Sequence, residues 1–371
     1  MTLSPSPVRP SPDAPAAVAV PGLVEAEARR RVGAGVGLGA TLKQGLQYVP
    51  GIVLLFLVGY AGKLVTPLIP HTEYVIWAIA IGMLIRNTIP LPKVFLPGIA
   101  TYELWLKAGI VLMGVRFALS SILSLGAVGI ALVVVEIACA MVVANWLAKR
   151  FKLSDKLGSL IGVGNGICGV SAIIGAAGAI EAKQEEATYA IATILLFGAA
   201  MIFLYPVIGH YVGMSDTQFG FWAGLAVDNT AECVAAGFAY SEGAGKVATL
   251  VKLCRNALMG LVILYLAVSY ARRGMTGEVK NKGKFLWDRF PKFVLGFLAL
   301  SVVVSLGLLA KPQISAIAGM SKWLFLLTFA GVGLSTEFSR LKAGITPFVI
   351  GLVSEVIISV VALAMIFLFI T

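Results

Sequence analysis

Residues Gly162-Val163-Gly164-Asn165-Gly166-Ile167-Cys168-Gly169-Val170-Ser171 put four glycines, an Asn and a Ser into ten positions of an otherwise apolar stretch. A second stretch, Ala226-Val227-Asp228-Asn229-Thr230-Ala231-Glu232, sets a polar cluster near the middle of another apolar run. Gly weakens a helix by about 1 kcal/mol relative to Ala, and Asn, Asp, Ser and Thr offer the backbone other hydrogen bonds. Both stretches therefore read as broken helices. In lipid, irregular backbone survives only where protein or a watery cavity surrounds it. A break also exposes the N-terminus of the second half-helix, whose free N–H groups and positive dipole end attract an anion. Ser171 and Thr230 fall near those ends. Close helix packing through small residues is the competing account.

Composition says that these breaks lie in lipid. Of 371 residues, 59% are hydrophobic and 13% charged, with a mean hydropathy of +0.94. A soluble domain carries about 25% charged residues, so an ordinary cytosolic or secreted globular protein is excluded. Residues 1–40, rich in Pro, Ala and Gly, read as a disordered cytoplasmic tail ahead of a transporter domain over 41–371. Their first apolar stretch precedes Arg29-Arg30-Arg31, the reverse of the order in a signal peptide. Eleven apolar segments follow, at 46–66, 74–89, 103–119, 123–148, 157–181, 187–209, 217–240, 247–270, 291–309, 322–339 and 345–370. The expected fold is all-α and membrane-embedded, with about eleven spans, inverted repeats and two discontinuous helices.

The net charge of +11 is placed by the loops. Counting from a cytoplasmic N-terminus, alternate loops hold Arg86 and Lys93, then Lys149, Arg150, Lys152 and Lys156, then Arg272 to Arg289, then Arg340 and Lys342. Positive charge marks the cytoplasmic side, which puts the C-terminus outside a plasma (inner) membrane. The opposite loops, Thr66–Glu73 and Glu181–Glu186, hold few cations. One loop is mute: His210–Gln218, expected inside, has no Lys or Arg.

Internal similarity supports a transporter. The stretch GVRFALSSILSLGAVGIALVVVE, ending at Glu136, aligns with GVGLSTEFSRLKAGITPFVIGLVSE, ending at Glu355, and the counted topology makes the pair inverted. A fainter match pairs the stretch from Val170 with that from Ala231. Those lie in segments five and seven, which the count makes parallel. An inverted repeat cannot be parallel, so either the match is chance or one segment does not cross fully.

The eighth segment adds Val251-Lys252-Leu253-Cys254-Arg255-Asn256. Lys252, Arg255 and Asn256 share one helical face, and a Lys or Arg at a helix centre costs about 2.5–3.5 kcal/mol on insertion scales. Compensation must come from Asp228, Glu232 or a bound anion, unless Lys252 snorkels to the surface. Glu136 and Glu355, inside their segments, are candidates to carry a coupling proton or to stay neutral and hydrogen-bonded. Lys107 and Arg116 read as interfacial. Cys139, Cys168, Cys233 and Cys254 lack metal or redox spacing, and His71 and His210 fall in expected loops. No P-loop, HExxH motif or nucleophile–base pair is present, so neither an enzyme nor a cofactor is expected.

At these same residues the chain resembles the YeiH-like membrane proteins, the proposed sulfate exporter family. The likeness is carried by GNGICGVSAI (family pattern close to G-x-S-I-C-G-x-S-A), FGFWAGLAVDNTAECVAAG and ATLVKLCRN. The resemblance implies an inverted-repeat transporter with crossed discontinuous helices, exporting sulfate or a related oxyanion. Three departures stand out: Asp228 and Asn229 replace the usual His and acid, Glu232 replaces Gln, and Gly166 replaces a Ser. If that His mediates proton coupling in relatives, coupling here uses another group or is absent, and the substrate itself can differ.

The resulting expectation is a secondary transporter of a small inorganic or organic anion, working by alternating access. Asn165, Gly166, Gly169, Ser171, Asn229, Thr230, Lys252, Arg255 and Asn256 would form its site. Asp228, Glu232, Glu136 and Glu355 would balance charge or couple transport. The partners expected are the anion, membrane lipid, a proton or sodium ion and a second copy as homodimer, with no nucleic acid. A cation or proton antiporter and an anion channel are the alternatives.

Overall fold

The computed structural model describes residues 45–68, 73–117, 126–277, 281–337 and 345–370. The expected tail over 1–40, His71, Arg340 and Lys342 lie outside them. The described residues are helical, with no strand among them. In chain order the helices are α1 (Val49–Val65), α2 (Tyr74–Thr88), the short α3 (Leu96–Ile99) and α4 (Tyr102–Met113), then α5 (Gly126–Arg150), α6 (Asp155–Gly166), α7 (Val170–Ala179) and α8 (Gln184–Val212). They continue as α9 (Asp216–Ala226), α10 (Thr230–Tyr240), α11 (Glu242–Ala257), α12 (Met259–Arg272), α13 (Lys282–Arg289), α14 (Lys292–Ser305), α15 (Lys311–Ser335) and α16 (Ile345–Phe369).

Seven stretches are long and apolar enough to cross a membrane, by length and composition: 49–68, 96–116, 128–150, 184–212, 242–272, 311–335 and 348–369. Val142, Leu204 and Val360 are among many large apolar side chains exposed on their outer faces. In water such a surface is an aggregation hazard; in lipid it is the solvated face.

Both discontinuous segments are broken where the sequence puts the breaks. The first helix stops at Gly166 and restarts at Val170; the second stops at Ala226 and restarts at Thr230. Neither segment, however, crosses. Lys156 Nζ donates to Glu181 O at 2.8 Å, although a straight helix over that stretch would hold them roughly 37 Å apart at about 1.5 Å per residue. Ser154 Oγ likewise donates to the Glu186 carboxylate. In the second segment Ser241 Oγ donates to Asp216 Oδ1 at 2.7 Å, and Tyr240 OH to Met214 O. Helices α6–α7 and α9–α10 are re-entrant hairpins, each leaving at the end where it entered. Among the described residues, two of the eleven expected spans therefore turn back instead of crossing, which corrects the crossed arrangement.

The hairpins enter from opposite ends. The first opens at the basic end, where Arg273 Nη1 lies 3.6 Å from Asp155 Oδ2 and Arg289 Nη1 donates to Gly175 O. The second opens at the other end, where Gln218 Nε2 donates to Ile370 O at 3.0 Å. The 210–218 connection therefore sits away from the basic loops, which accounts for its lack of cations. The 181–186 connection moves to the basic end. The parallel repeat also disappears: α7 leaves its tip toward the basic end and α10 leaves its tip toward the opposite one, so the Val170 and Ala231 stretches are antiparallel. Helices α5 and α16, bearing Glu136 and Glu355, are antiparallel too.

The helices group into two packed bodies. One comprises α1–α4, α14 and α15, with Gly82 and Gly333 letting α2 and α15 approach until a Cβ on Gly333 would sit 3.0 Å from Gly82 Cα. The other holds α5–α12 and α16 and contains both hairpins. They meet mainly where α10 lies on α2 and α15.

Candidate functional site

Two sharp reversals bring the hairpin tips together in the interior. Gly169 turns the first with φ +68°, a conformation costly for any residue bearing a Cβ, and its N–H closes onto Gly164 O at 3.0 Å. The second reverses through extended Val227 and Asn229. The tips touch: a Cβ on Gly169 would lie 3.5 Å from Asn229 Cα.

Arg255, fully buried on α11, stitches the tips together. Its Nε donates to Gly166 O at 2.9 Å and its Nη2 to Asn165 O, both at the end of α6. Its Nη1 donates to Gly224 O at 3.1 Å and to Leu225 O, near the end of α9. One turn earlier, equally buried Lys252 donates to Val227 O at 2.6 Å and Asp228 O. A helix C-terminus carries about half a negative charge. Two of them facing one guanidinium sum to about one charge, which explains how a cation sits here without a carboxylate. Instead of the expected anionic partner, Asp228, Glu232 or a bound anion, backbone carbonyls receive the donors of both cations. Among the described residues neither forms an ion pair. Snorkelling of Lys252 is excluded by its burial.

The opposite helix ends, the starts of α7 and α10, meet at the same place. Gly169 provides no side-chain cap for α7. Asn229 Oδ1 accepts from Ala231 N at 2.9 Å, and Asn256 Nδ2 donates to Thr230 Oγ1 at 3.1 Å. Four acids are buried in this part of the chain, three of them around the tips. Glu136 and Asp228 are fully buried, Glu232 and Glu355 nearly so. Asn165 Nδ2 donates to Glu355 Oε2 at 3.2 Å. Both carboxyl oxygens of Glu136, together with Glu232 Oε2 and the amide oxygens of Asn165 and Asn256, have no hydrogen-bond partner, whereas the Asp228 and Glu355 carboxyls face each other within hydrogen-bonding reach, a contact that needs a proton on one of them. Asp228 and Glu355 are electrostatic neighbours of each other and of Arg255. Glu232 points elsewhere, against α8, where a Cβ on Gly198 would clash with its carboxyl.

The tips thus gather Asn165, Gly166, Gly169, Asn229, Thr230, Lys252, Arg255 and Asn256, with Asp228, Glu136 and Glu355 around them. Ser171 is exposed at the start of α7, unlike the buried residues on either side of it. His210 lies within α8 rather than in a loop, its ring stacked on Tyr240. The four cysteines are free thiols, Cys233 fully packed and the others partly. Among the described residues no group of three or more His, Cys, Asp or Glu side chains could hold a metal ion. Arg116 and Glu242, which the sequence reading did not connect, form an ion pair with Nη1 2.5 Å from Oε1. Nothing in their 126-residue separation signals it.

The family described as Conserved hypothetical protein 698 matches residues 50–351. A UPF0324 membrane protein of Nitratidesulfovibrio vulgaris is 34% identical over 335 residues, covering 86% of this chain and 93% of its own. One from Clostridium tetani is 31% identical over 332 residues, covering 85% and 96%, and one from Bacillus cereus 30% over 332 residues, covering 88% and 96%. No solved structure matches. A match of this extent along both partners makes the chain a member of the UPF0324 family of membrane proteins.

Proposed function

We propose that the protein is a secondary transporter of a small anion, sulfate, sulfite, a related oxyanion or an organic acid, with its site at the apposed hairpin tips. One observation carries this reading. Lys252 and Arg255 answer the negative helix ends, so the two positive ends, at Gly169–Val170 and Asn229–Thr230, remain to face a ligand. Each such end carries about half a positive charge and free N–H groups, the ordinary equipment of an anion site. Alternating access would move the hairpin-bearing body against the other, with α10 as the sliding contact. By the positive-inside rule the basic end is cytoplasmic, in a plasma membrane, with Ile370 outside.

A second reading keeps the site and adds a coupling proton. It is favoured by the placement of three buried carboxyls, Glu136, Asp228 and Glu355, around the tips, with the Asp228 and Glu355 carboxyls facing each other where one proton would join them. Uptake of radiolabelled sulfate, sulfite and succinate into proteoliposomes, with and without a pH gradient, tests both. Saturable anion flux supports the first reading and its acceleration by the gradient the second; flux of sodium alone, without anion, overturns the first.

A further inference from the structure

Away from the tips, at the end opposite the basic loops, three cations converge on one carboxylate. Glu242, the first residue of α11, receives Arg116 Nη1 at 2.5 Å and Lys246 Nζ at 3.3 Å on Oε1, and Lys322 Nζ at 3.0 Å on Oε2. Arg116 and Lys322 come from one packed body, Glu242 and Lys246 from the other. Beside them opens a cavity of about 110 Å³, far below the roughly 300–1,000 Å³ of drug-sized pockets. Arg116, Lys322, Tyr74 and Ser321 lie in its walls, and Phe238 and Phe325 also line it.

We propose that this cavity is a second anion site, in which a small oxyanion or carboxylate takes the place that the Glu242 carboxylate holds against Arg116 and Lys322. Three arguments support it. Glu242 is itself a carboxylate held through both oxygens by cations from three elements, so the geometry for such a group is already built. Its side chain is half exposed, so it can swing out to solvent and leave its place to an arriving anion. The charge count favours an anion: Arg116, Lys246 and Lys322 face Glu242 and Glu73. Burial and the neighbouring Glu242 hold the Glu73 carboxyl above the usual carboxylate range, which weakens its opposition to an anion.

The inference deepens the transport reading and rests on it for its role: displacement of Glu242 would break the bridge between the two bodies at that end as the anion arrives. Its test is separable. In the full chain in lipid nanodiscs, carrying Asn229→Ala and Thr230→Val to disable the tips, sulfate and succinate are titrated by calorimetry. Glu242→Gln, which removes the internal competitor, should tighten binding of at least one of them about tenfold, the weight of one charge-assisted hydrogen bond. Arg116→Gln and Lys322→Gln should each weaken it by a similar factor. Affinity unchanged or weakened in Glu242→Gln for both probes overturns the site. Absence of anion flux in the unaltered chain, with the Glu242→Gln gain intact, would instead sink the transport reading and leave the cavity standing as a binding site.

Discussion

Lys252 holds Asp228 by its backbone: the ammonium donates to Asp228 O, while the Asp228 carboxyl receives nothing from Lys252 or Arg255 and faces the Glu355 carboxyl instead. The side chain is thus separable from the architecture that positions it. Asp228→Asn should leave a folded protein, its thermal midpoint within a few degrees of the parent, because the carbonyl contact survives. Anion flux or its response to a pH gradient should fall at least tenfold. A folded variant with normal flux and normal gradient response would show that the carboxyl does nothing in transport.

Arg255 should behave oppositely. Removing it leaves four buried carbonyls without a donor, and breaking a buried charged network costs about 3–5 kcal/mol. Arg255→Gln is expected to lower the thermal midpoint steeply and expose the tips to proteolysis. Arg255→Lys should recover only part of this, since an ammonium lacks the planar fork that reaches both hairpins. Parent-like melting of Arg255→Gln would refute the stitch.

The hairpins make an accessibility pattern that spanning helices cannot. Single cysteines at Lys183 and Lys284, in a chain freed of its native cysteines, should react with an impermeant maleimide from the same side. Cysteines at Asp216 and Ser241 should react together from the other. Opposite-side labelling of Asp155 and Lys183 would restore a crossing fifth segment.

Gly169 adopts φ +68° with ψ −119° at the first tip, a sparsely populated region where a Cβ costs about 1–3 kcal/mol. Gly169→Ala should destabilise by about that amount, read as a lower unfolding midpoint, whereas Gly178→Ala, in open space on α7, should be neutral or slightly stabilising.

The Glu73 carboxyl is disfavoured as an anion by burial and by Glu242. A raised carboxyl pKa means that the folded state binds a proton more tightly than the unfolded chain, so this group's contribution is present at low pH and is lost as pH rises through the raised value. Glu73→Gln should flatten that part of the pH–stability curve and leave the protein slightly more stable at neutral pH.

Much of this was readable in the residues. Glycines at 162, 164, 166 and 169 and the run Asp228-Asn229-Thr230 located both breaks, because their backbone preferences are local. The direction of the chain after each break was not readable. A half-helix of ten to twelve apolar residues followed by another has the same hydropathy whether the two run on or fold back. Two signals did point to folding back: the cation-free stretch His210–Gln218 and a repeat that counting made parallel. The roles of Lys252 and Arg255 were hidden for a different reason, since backbone carbonyls leave no mark in the identity of the residues that provide them.

Arg255 lies 89 residues beyond Gly166, whose carbonyl it binds. At about 5–20 residues per second of synthesis, the first hairpin therefore waits roughly 4–18 seconds in the ribosome–translocon setting before its stitch emerges. Until then the carboxyl end of α6 has no counter-charge, and the hairpin should lie shallow at the entry side. Biogenesis would thus be ordered, the eighth segment drawing the earlier hairpin to depth. Stalled chains ending shortly before residue 250 should keep a cysteine at Gly166 open to an aqueous maleimide, and chains stalled well past 272 should protect it. Protection in the shorter chains would mean that the tip settles unaided.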